Sequence, residues 1–497
     1  MARAVKLNWS EYSPLFANFP VFLRILQLLL LLNGKLRKIA RMNSENHSKP
    51  ITGRTPIRFS DSLPEEVDVV VIGAGVAGIF AALYMVQDGL KVLVCEKGRV
   101  AAEQSSRNWG WIRQHGRDEA ELPIMMEASR LWEEADKAVN GATGFHRGGV
   151  CYLASTPERL ETRERWVSVA QGHGLDTRMM SASEIATLID RSGQEGAIPW
   201  IAGCYTQSDA RAEPWKAIPA IAKLLRDKGG LIRENCAVRA LDIEAAKVTG
   251  VVTESGTIKC QQVVVAGGAW SSLFLKRHGI SIPQLSVRST VARTAPLPEV
   301  FSGNAADEKL AFRRREDGGY IIAGGGTHDL YVGPDAFRHL RQYLQVWKAN
   351  MDDTSIKLWP RTGMPDSWTA KRNWAEDEAS PFEETRVLDP EPNLNQVERT
   401  RISFAERFPG FGKPEILNAW AGMIDTMPDI VPVVDRAPDV VGLIISTGFS
   451  GHGFGIGPGF GRIVANMAQE KAVGHDMTRF RFGRFTDGST IMPGPSI

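Results

Sequence analysis

Residues 68–78 read "DVVVIGAGVAG" and residues 91–98 read "KVLVCEKG". Val67 to Ile72 is a continuous, Val-rich apolar run of strand length, the pattern of a parallel strand covered on both faces. Three glycines follow, then the helical pattern "IFAALYMVQDG", then a second strand that ends at Glu96. Strand, glycine turn, helix, strand and acid in this register predict a βαβ unit that binds a dinucleotide. Gly73 permits the tight turn, Gly75 lets backbone approach a pyrophosphate, and Gly78 lets helix and strand pack closely. Ala74, Val76 and Ala77 supply the remaining backbone of the turn, whose helix N-terminus offers N–H donors and about half a positive charge to phosphates. Glu96, with Lys97 beside it, is placed to accept from ribose hydroxyls.

The rest of the composition narrows the class. With 497 residues, 43% of them apolar, the chain can bury a core large enough for two or three domains. A formal net charge of +2 is close to balance and gives no electrostatic footprint for nucleic acid, so no nucleic-acid partner is expected. Cys95, Cys151, Cys204, Cys236 and Cys260 lie far apart without a CxxC pair, which predicts neither a metal site nor a disulfide framework but buried small side chains.

The first 41 residues differ in character. Arg3, Lys6, Arg24, Lys35, Arg37, Lys38 and Arg41 face a single acid, Glu11, around the apolar run "VFLRILQLLLLL" from Val21 to Leu32. That run is short of the ~20 residues a membrane span needs, and Pro20, Arg24 and Gln27 interrupt it. No small-residue cleavage site follows it. Three readings stand: an interfacial anchor giving membrane association through residues 1–41, a targeting segment, or sequence upstream of a true start at Met42. Residues 43–66 are polar and contain proline, so 1–66 reads as an extension plus linker. A cytoplasmic location is expected, peripheral to the inner membrane under the anchor reading.

Further motifs come in a fixed order: "SSRNWG" at 105–110, "VVVAGGAW" at 263–270, "WAGMIDTMPDIVPVV" at 420–434, "STGFSGHGFGIGPG" at 446–459 and "FRFGRF" at 480–485. With the fingerprint, these resemble the flavoprotein amine and amino-acid oxidoreductases of the D-amino-acid oxidase superfamily. That superfamily includes glycine oxidase, sarcosine oxidase, D-amino-acid dehydrogenase and the bacterial L-amino-acid deaminases. The resemblance covers residues 67 to about 487. It implies FAD as cofactor and an α/β fold: a Rossmann-like FAD-binding domain interleaved with an α+β substrate domain built on a mostly antiparallel sheet. The FAD-binding domain would comprise 67–150, 206–285 and 406–487, the substrate domain 151–205 and 286–405, with 488–497 as a C-terminal tail.

Carried over residue by residue, the resemblance assigns the ADP half to Gly73, Gly75, Gly78 and Glu96. It places Ser105, Ser106, Arg107 and Asn108 beside the pyrophosphate and isoalloxazine, Val238 against the adenine, and Gly267, Gly268 and Trp270 at the next strand end. Gly448, Phe449, Gly451, Gly453 and Phe454 would bring loop N–H groups to the flavin pyrimidine, and His452 reads as a loop residue there rather than a titrating group. The flavin is expected to be non-covalent. The position at which sarcosine oxidases tether it through cysteine falls about Gly422, and His115, the histidine that follows Glu96, lies beyond the "SSRNWG" segment.

The chemistry follows from what a flavin accepts: hydride at N5 from the carbon bearing an amine, leaving an iminium that water hydrolyses to an oxo product. Oxygen or a quinone or other electron carrier would then take the electrons. The amine must be neutral, which near pH 7 costs about 1 kcal/mol for an α-amino group and roughly 5 kcal/mol for an alkylamine. An amino-acid substrate also needs a cation for its carboxylate. In "AFRRREDGGYIIAGG", Arg315 aligns with the arginine that does this in glycine oxidase, while a solvated cluster of Arg313, Arg314 and Arg315 is the other reading. Relatives carry an arginine in a "GLRP" segment where this chain has Ile424 and Asp425, and an acid there would attract a cationic group. Trp420 and Tyr320 either cap the flavin or pack, as Trp109 and Trp111, with Arg113 and Gln114, either line the substrate pocket or fill core. Arg315, Asp425 and Trp420 are thus the expected substrate-side residues. Strands are expected at 286–294 and 318–325, and Phe337, Leu340, Leu344 and Trp347 have helical spacing. The alternatives are a flavin dehydrogenase of a non-amine substrate, such as a hydroxy acid, and the FAD subunit of a multi-subunit dehydrogenase, which predicts an exposed apolar patch.

Overall fold

The fingerprint strand, Val69–Ile72, has no polar side chain, and it is flanked by parallel partners on both sides, Gln262–Val265 and Val92–Cys95. In the computed structural model, which describes residues 49–325, 328–344, 354–492 and 494, these strands form the centre of a six-stranded sheet. Its order is Val433–Arg436, Leu443–Thr447, Gln262–Val265, Val69–Ile72, Val92–Cys95 and Leu231–Arg233, parallel throughout except for the first strand. Alternate residues serve opposite faces, as the period of a strand requires. Val69, Val71, Val92 and Val94 pack with the helices Val76–Gln87, Leu122–Ala138, Pro214–Asp227 and Gly453–Ala468, whereas Val70, Leu93 and Cys95 pack beneath a three-stranded antiparallel sheet and the helix Ser271–Arg277.

The second layer is a ten-stranded sheet. Leu285–Thr294 and Tyr320–Ala323 form where strands are expected, and the pairing is antiparallel except where Asn304–Ala306 meets Val150–Ala154 and His328–Tyr331 meets Thr354–Lys357. The helix Leu394–Arg407 covers one face, with Phe404 and Phe408 on Phe312, Tyr320 and Ile322. On the opposite face Val291, Ile321 and Trp420 meet Trp109. The chain is therefore α/β with parallel and antiparallel sheets, as expected.

Three details depart from the sequence reading, and one decides between its alternatives. The strand Ile416–Thr426 sits within the stretch expected to bind FAD, yet it extends the large sheet by pairing with Leu285–Thr294. Residues from Pro50 belong to the large compact unit, and the polar linker is tied down through Ile51 to Ser106, through Ser60 to Arg233 of the six-stranded sheet and through Glu66 to Lys259 of the three-stranded sheet. Of the two readings open for Tyr320, packing is the one seen: it is fully buried in the far core, its hydroxyl accepting from the Val300 amide (2.8 Å). The stripe Phe337, Leu340, Leu344 is exposed, because Ala336 and Tyr343 face Leu285, Val287 and Ile424 instead, and the Tyr343 hydroxyl donates to the carbonyls of Pro283 and Thr426. Trp347 and the segment 1–48 lie outside the described residues. Among those described, no helix is long and apolar enough to cross a membrane.

Candidate functional site

The glycine turn shows why only glycine serves there. Gly73 has φ +106°, and a Cβ on it would stand 2.5 Å from the Ala266 carbonyl oxygen; a Cβ on Gly78 would overlap the Gly73 carbonyl. Its backbone is tied down by side chains from elsewhere. The Ala74 amide donates to Glu96 Oε2 (2.9 Å), the Gly98 amide to Glu96 Oε1 (2.7 Å), and the Val76 amide to Ser105 Oγ (2.9 Å). Burial pushes the Glu96 carboxyl up to about 7, against the pull of Lys97 and of these two amides. Lys97 lies over the Trp270 ring, 4.3 Å from its centre, and pairs with Glu103 at 2.7 Å.

At the other end of the chain, the loop between Leu443–Thr447 and the helix Gly453–Ala468 is held by Asp425. Its carboxylate accepts from the amides of Gly448 (2.8 Å) and Phe449 (3.3 Å) and from Gln284 Nε2, and its carbonyl accepts from Ser450 (2.8 Å). Burial raises the Asp425 carboxyl to about 6, while the loop amides pull it down. Asp425 therefore shapes the loop through its Oδ2 and its carbonyl, and the residue also lines the cavity described next. His452 stands at the N-terminus of the final helix, 4% exposed, with its Nδ1 3.9 Å from Glu121 and its carbonyl accepting from Arg117 (3.1 Å).

These two constructions share one cavity. Of the residues anticipated, Gly73, Gly75, Val76, Ala77, Glu96, Lys97, Ser105, Asn108, Val238, Gly267, Gly268, Trp270, Asp425, Phe449, Gly451, Gly453 and Phe454 line it. Ala74, Gly78, Ser106, Arg107, Gly448 and His452 stand outside that lining. Arg107, 2% exposed, donates to the carbonyls of Ala102, Ala421 and Ile51 and pairs with Asp389 at 2.6 Å, and Ser106 Oγ accepts from the Ile51 amide. Cys95, Cys236, Gln104, Phe274, Phe382 and Met423 also line the cavity and were missed, because no local pattern marks them. Among the described residues no three His, Cys, Asp or Glu side chains are grouped to hold a metal.

The other expected substrate-side residues are placed differently. Arg315 does not line this cavity: Asp317 takes its Nε (3.0 Å) and Nη2 (2.8 Å), and its plane lies 4.3 Å from the Trp215 ring centre. Two residues earlier, Arg313 forms a fully buried bidentate pair with Glu213 (3.1 and 2.9 Å). Burial opposes the Glu213 charge, yet Arg313, with Arg315 and the Glu316 amide, holds its carboxyl below the usual value. Trp420 donates from Nε1 to the Arg107 carbonyl (2.9 Å) and packs on Trp109, which meets Trp111 edge-on at 5.4 Å. His115 is buried against Tyr152, ring centres 3.8 Å apart, and does not line the cavity. At Gly422, a Cβ would overlap the Gln104 side chain.

The donor set fits FAD. A glycine turn that no Cβ can enter, a buried acid at the adjoining strand end and an amide-rich glycine loop opposite are the parts a dinucleotide with a flavin needs. The family model for FAD dependent oxidoreductases (DAO) matches residues 68–467. The chain belongs to this family. Among solved structures, the L-amino acid deaminase of Proteus myxofaciens, determined with anthranilate, is similar at 26% identity and TM-score 0.81, covering 87% of this chain and 97% of that one. L-proline dehydrogenase from P. horikoshii, at 23% identity and TM-score 0.69 over 86% of this chain and all of that one, shares the fold. Among curated proteins, sarcosine oxidase subunit beta of Rhodobacter capsulatus is 23% identical over 85% of this chain and 90% of its own length. N-methyl-L-tryptophan oxidase of Citrobacter koseri is 26% identical over 84% and 99%. The match to the mitochondrial dimethylglycine dehydrogenase of Rattus norvegicus spans only 49% of that longer chain. The protein is thus an FAD-dependent oxidoreductase of the amino-acid and amine oxidase type.

Proposed function

We propose that the protein oxidises the C–N bond of an amino acid or amine, with FAD held non-covalently along the cavity. The observation that carries this reading is the union, in one cavity, of the Glu96 turn with the loop held by Asp425, bordered through Asn108 and Met423 by the Trp109 and Trp420 segments. Bound there, FAD supplies a two-electron acceptor that takes hydride from the carbon next to nitrogen, leaving an imine that hydrolyses to an oxo product. The glycine turn and the helix N-terminus bind the pyrophosphate, and Glu96 orients the ribose. The amides of Gly451, Gly453 and Phe454 favour the negative charge that reduction places at the pyrimidine end. Phe449 and Phe454, which line the cavity, exclude water beside it.

With Arg315 held by Asp317, substrate side-chain recognition is assigned to the apolar lining of the cavity, Met423, Phe449 and Phe454 among it, which suits an aromatic or aliphatic side chain on the substrate. Relatives whose names or titles mention anthranilate and N-methyl-L-tryptophan agree with that choice. Anaerobic mixing of the purified flavoprotein with amino acids of both chiralities and simple amines tests it. Bleaching of the flavin band by apolar amino acids or amines is expected, and a band that none of them bleaches contradicts the reading.

A second reading, a flavin subunit of a larger dehydrogenase, draws on one feature. Phe337, Trp359 and Trp368 are 62%, 71% and 47% exposed and form a contiguous group, with ring centres 5.9 and 5.8 Å apart. Turnover by the isolated chain would exclude it.

A further inference from the structure

The segment from Trp374 to Asp389, expected in the substrate domain, lies instead along the parallel layer at the ADP end of the cavity. Phe382, 4% exposed, lines the cavity with its ring centre 5.9 Å from both Trp270 and Phe274 and 5.4 Å from Trp374. Ser380 and Glu383 start this short turn with a capping box. The ties that hold it down are mostly ionic. Arg239, next to the cavity residue Val238, pairs with Glu383 at 2.6 Å; Arg386 pairs with Glu254 in a two-pronged contact; Arg107 pairs with Asp389 at 2.6 Å. Lys97 donates to the Thr385 carbonyl (2.8 Å), and Glu103 accepts from the Leu388 amide (3.1 Å), both from cavity-lining side chains. The Arg386 carbonyl sits so close over Gly98 that a Cβ there would overlap it. A ligand lying against Glu96 and Val238 lies beside Phe382, so its release is coupled to lifting this segment.

We propose that Ser380–Asp389 is a cofactor clasp: Phe382 closes the ADP end of the cavity, and the ion pairs to Arg239, Glu254 and Arg107 hold it shut and set how long FAD stays bound. The proposal rests on the reading that the ADP half takes this end, and the experiment separates the two. FAD release from the full-length loaded protein is followed by recovery of flavin fluorescence after dilution, at low and high salt. These pairs are partly exposed and open to screening, so wild-type release accelerates roughly three- to tenfold at about 0.5 M salt relative to about 20 mM. The double variant Glu254→Gln with Glu383→Gln releases fast at both salts, and the charge swap Arg239→Glu with Glu383→Arg restores slow release at low salt. Gly98→Ala, which displaces the Arg386 carbonyl without changing charge, also releases fast. Wild-type release that ignores salt, or a double variant that keeps both the wild-type rate and its salt dependence, overturns the clasp. Glu96→Ala is the control for the site itself: faster release in that variant with no effect of the clasp variants sinks only the clasp, whereas no effect in either sinks the placement of the ADP half.

Discussion

The two sheets handle polarity in opposite ways. In the six-stranded sheet Val69–Ile72 and Val92–Cys95 carry Val, Ile, Leu and Cys on both faces, and the site at their carboxyl ends is built from glycines and backbone amides held by Glu96, Ser105 and Asp425. In the ten-stranded sheet the strands themselves carry buried charge. Arg313 is neutralised by Glu213, 100 residues away, and Arg288 by Asp329, 41 residues away. The first layer binds through main chain that any sequence could supply if its glycines fit, while the second depends on pairs of side chains that must each find one partner. Changes in the first should cost ligand, and changes in the second should cost fold.

The largest effect expected is at the turn. Gly78→Val would press a branched side chain into the Gly73 carbonyl, so the variant purifies without flavin, read as loss of the absorbance band near 450 nm relative to protein. Next comes Arg313→Met, which leaves Glu213 buried with its principal partner gone. A loss of about 3–5 kcal/mol in denaturant unfolding is expected, while the molecules that fold still carry flavin. A variant that instead loses flavin at unchanged stability would erase the contrast between the layers. Asp425→Ala leaves the Gly448 and Phe449 amides without their acceptor, at about 1–3 kcal/mol, and weakens flavin retention because the loop is a wall of the cavity.

The smallest effect concerns pH. Burial raises the Asp209 carboxyl to about 7, although Gln114 donates to it from backbone and side chain. An acid whose folded value lies above its unfolded value stabilises the fold below the unfolded value and loses that contribution as pH rises, here between about 4 and 7. Asp209→Asn removes the titration, so the thermal midpoint falls less steeply over that range than in the wild type. An unchanged slope would show that Asp209 ionises without cost.

The same contrast explains what was legible in the sequence. The fingerprint, Glu96 and the glycine-dense loop are legible because each is a local pattern tied to one backbone geometry, the strand 286–294 because its residues alternate, and 318–325 because a short apolar run sits between glycines. The family resemblance points to Arg315, but the register of the large sheet buries Arg313 against Glu213 and leaves Arg315 to Asp317 within its own hairpin. Helical spacing marks Phe337, Leu340 and Leu344, whereas contact with Leu285 and Ile424 buries the positions beside them, Ala336 and Tyr343. Phe382 carries no local signal, since its place in the cavity depends on ion pairs from Arg239 and Arg386 to residues more than 100 positions away.

The central claim, one cavity made from both ends of the catalytic chain and holding FAD without a covalent bond, is tested by acid precipitation of the purified protein. Release of about one FAD per chain into the supernatant is the predicted result; flavin that stays with the precipitate, or protein that carries none after reconstitution with FAD, would contradict it.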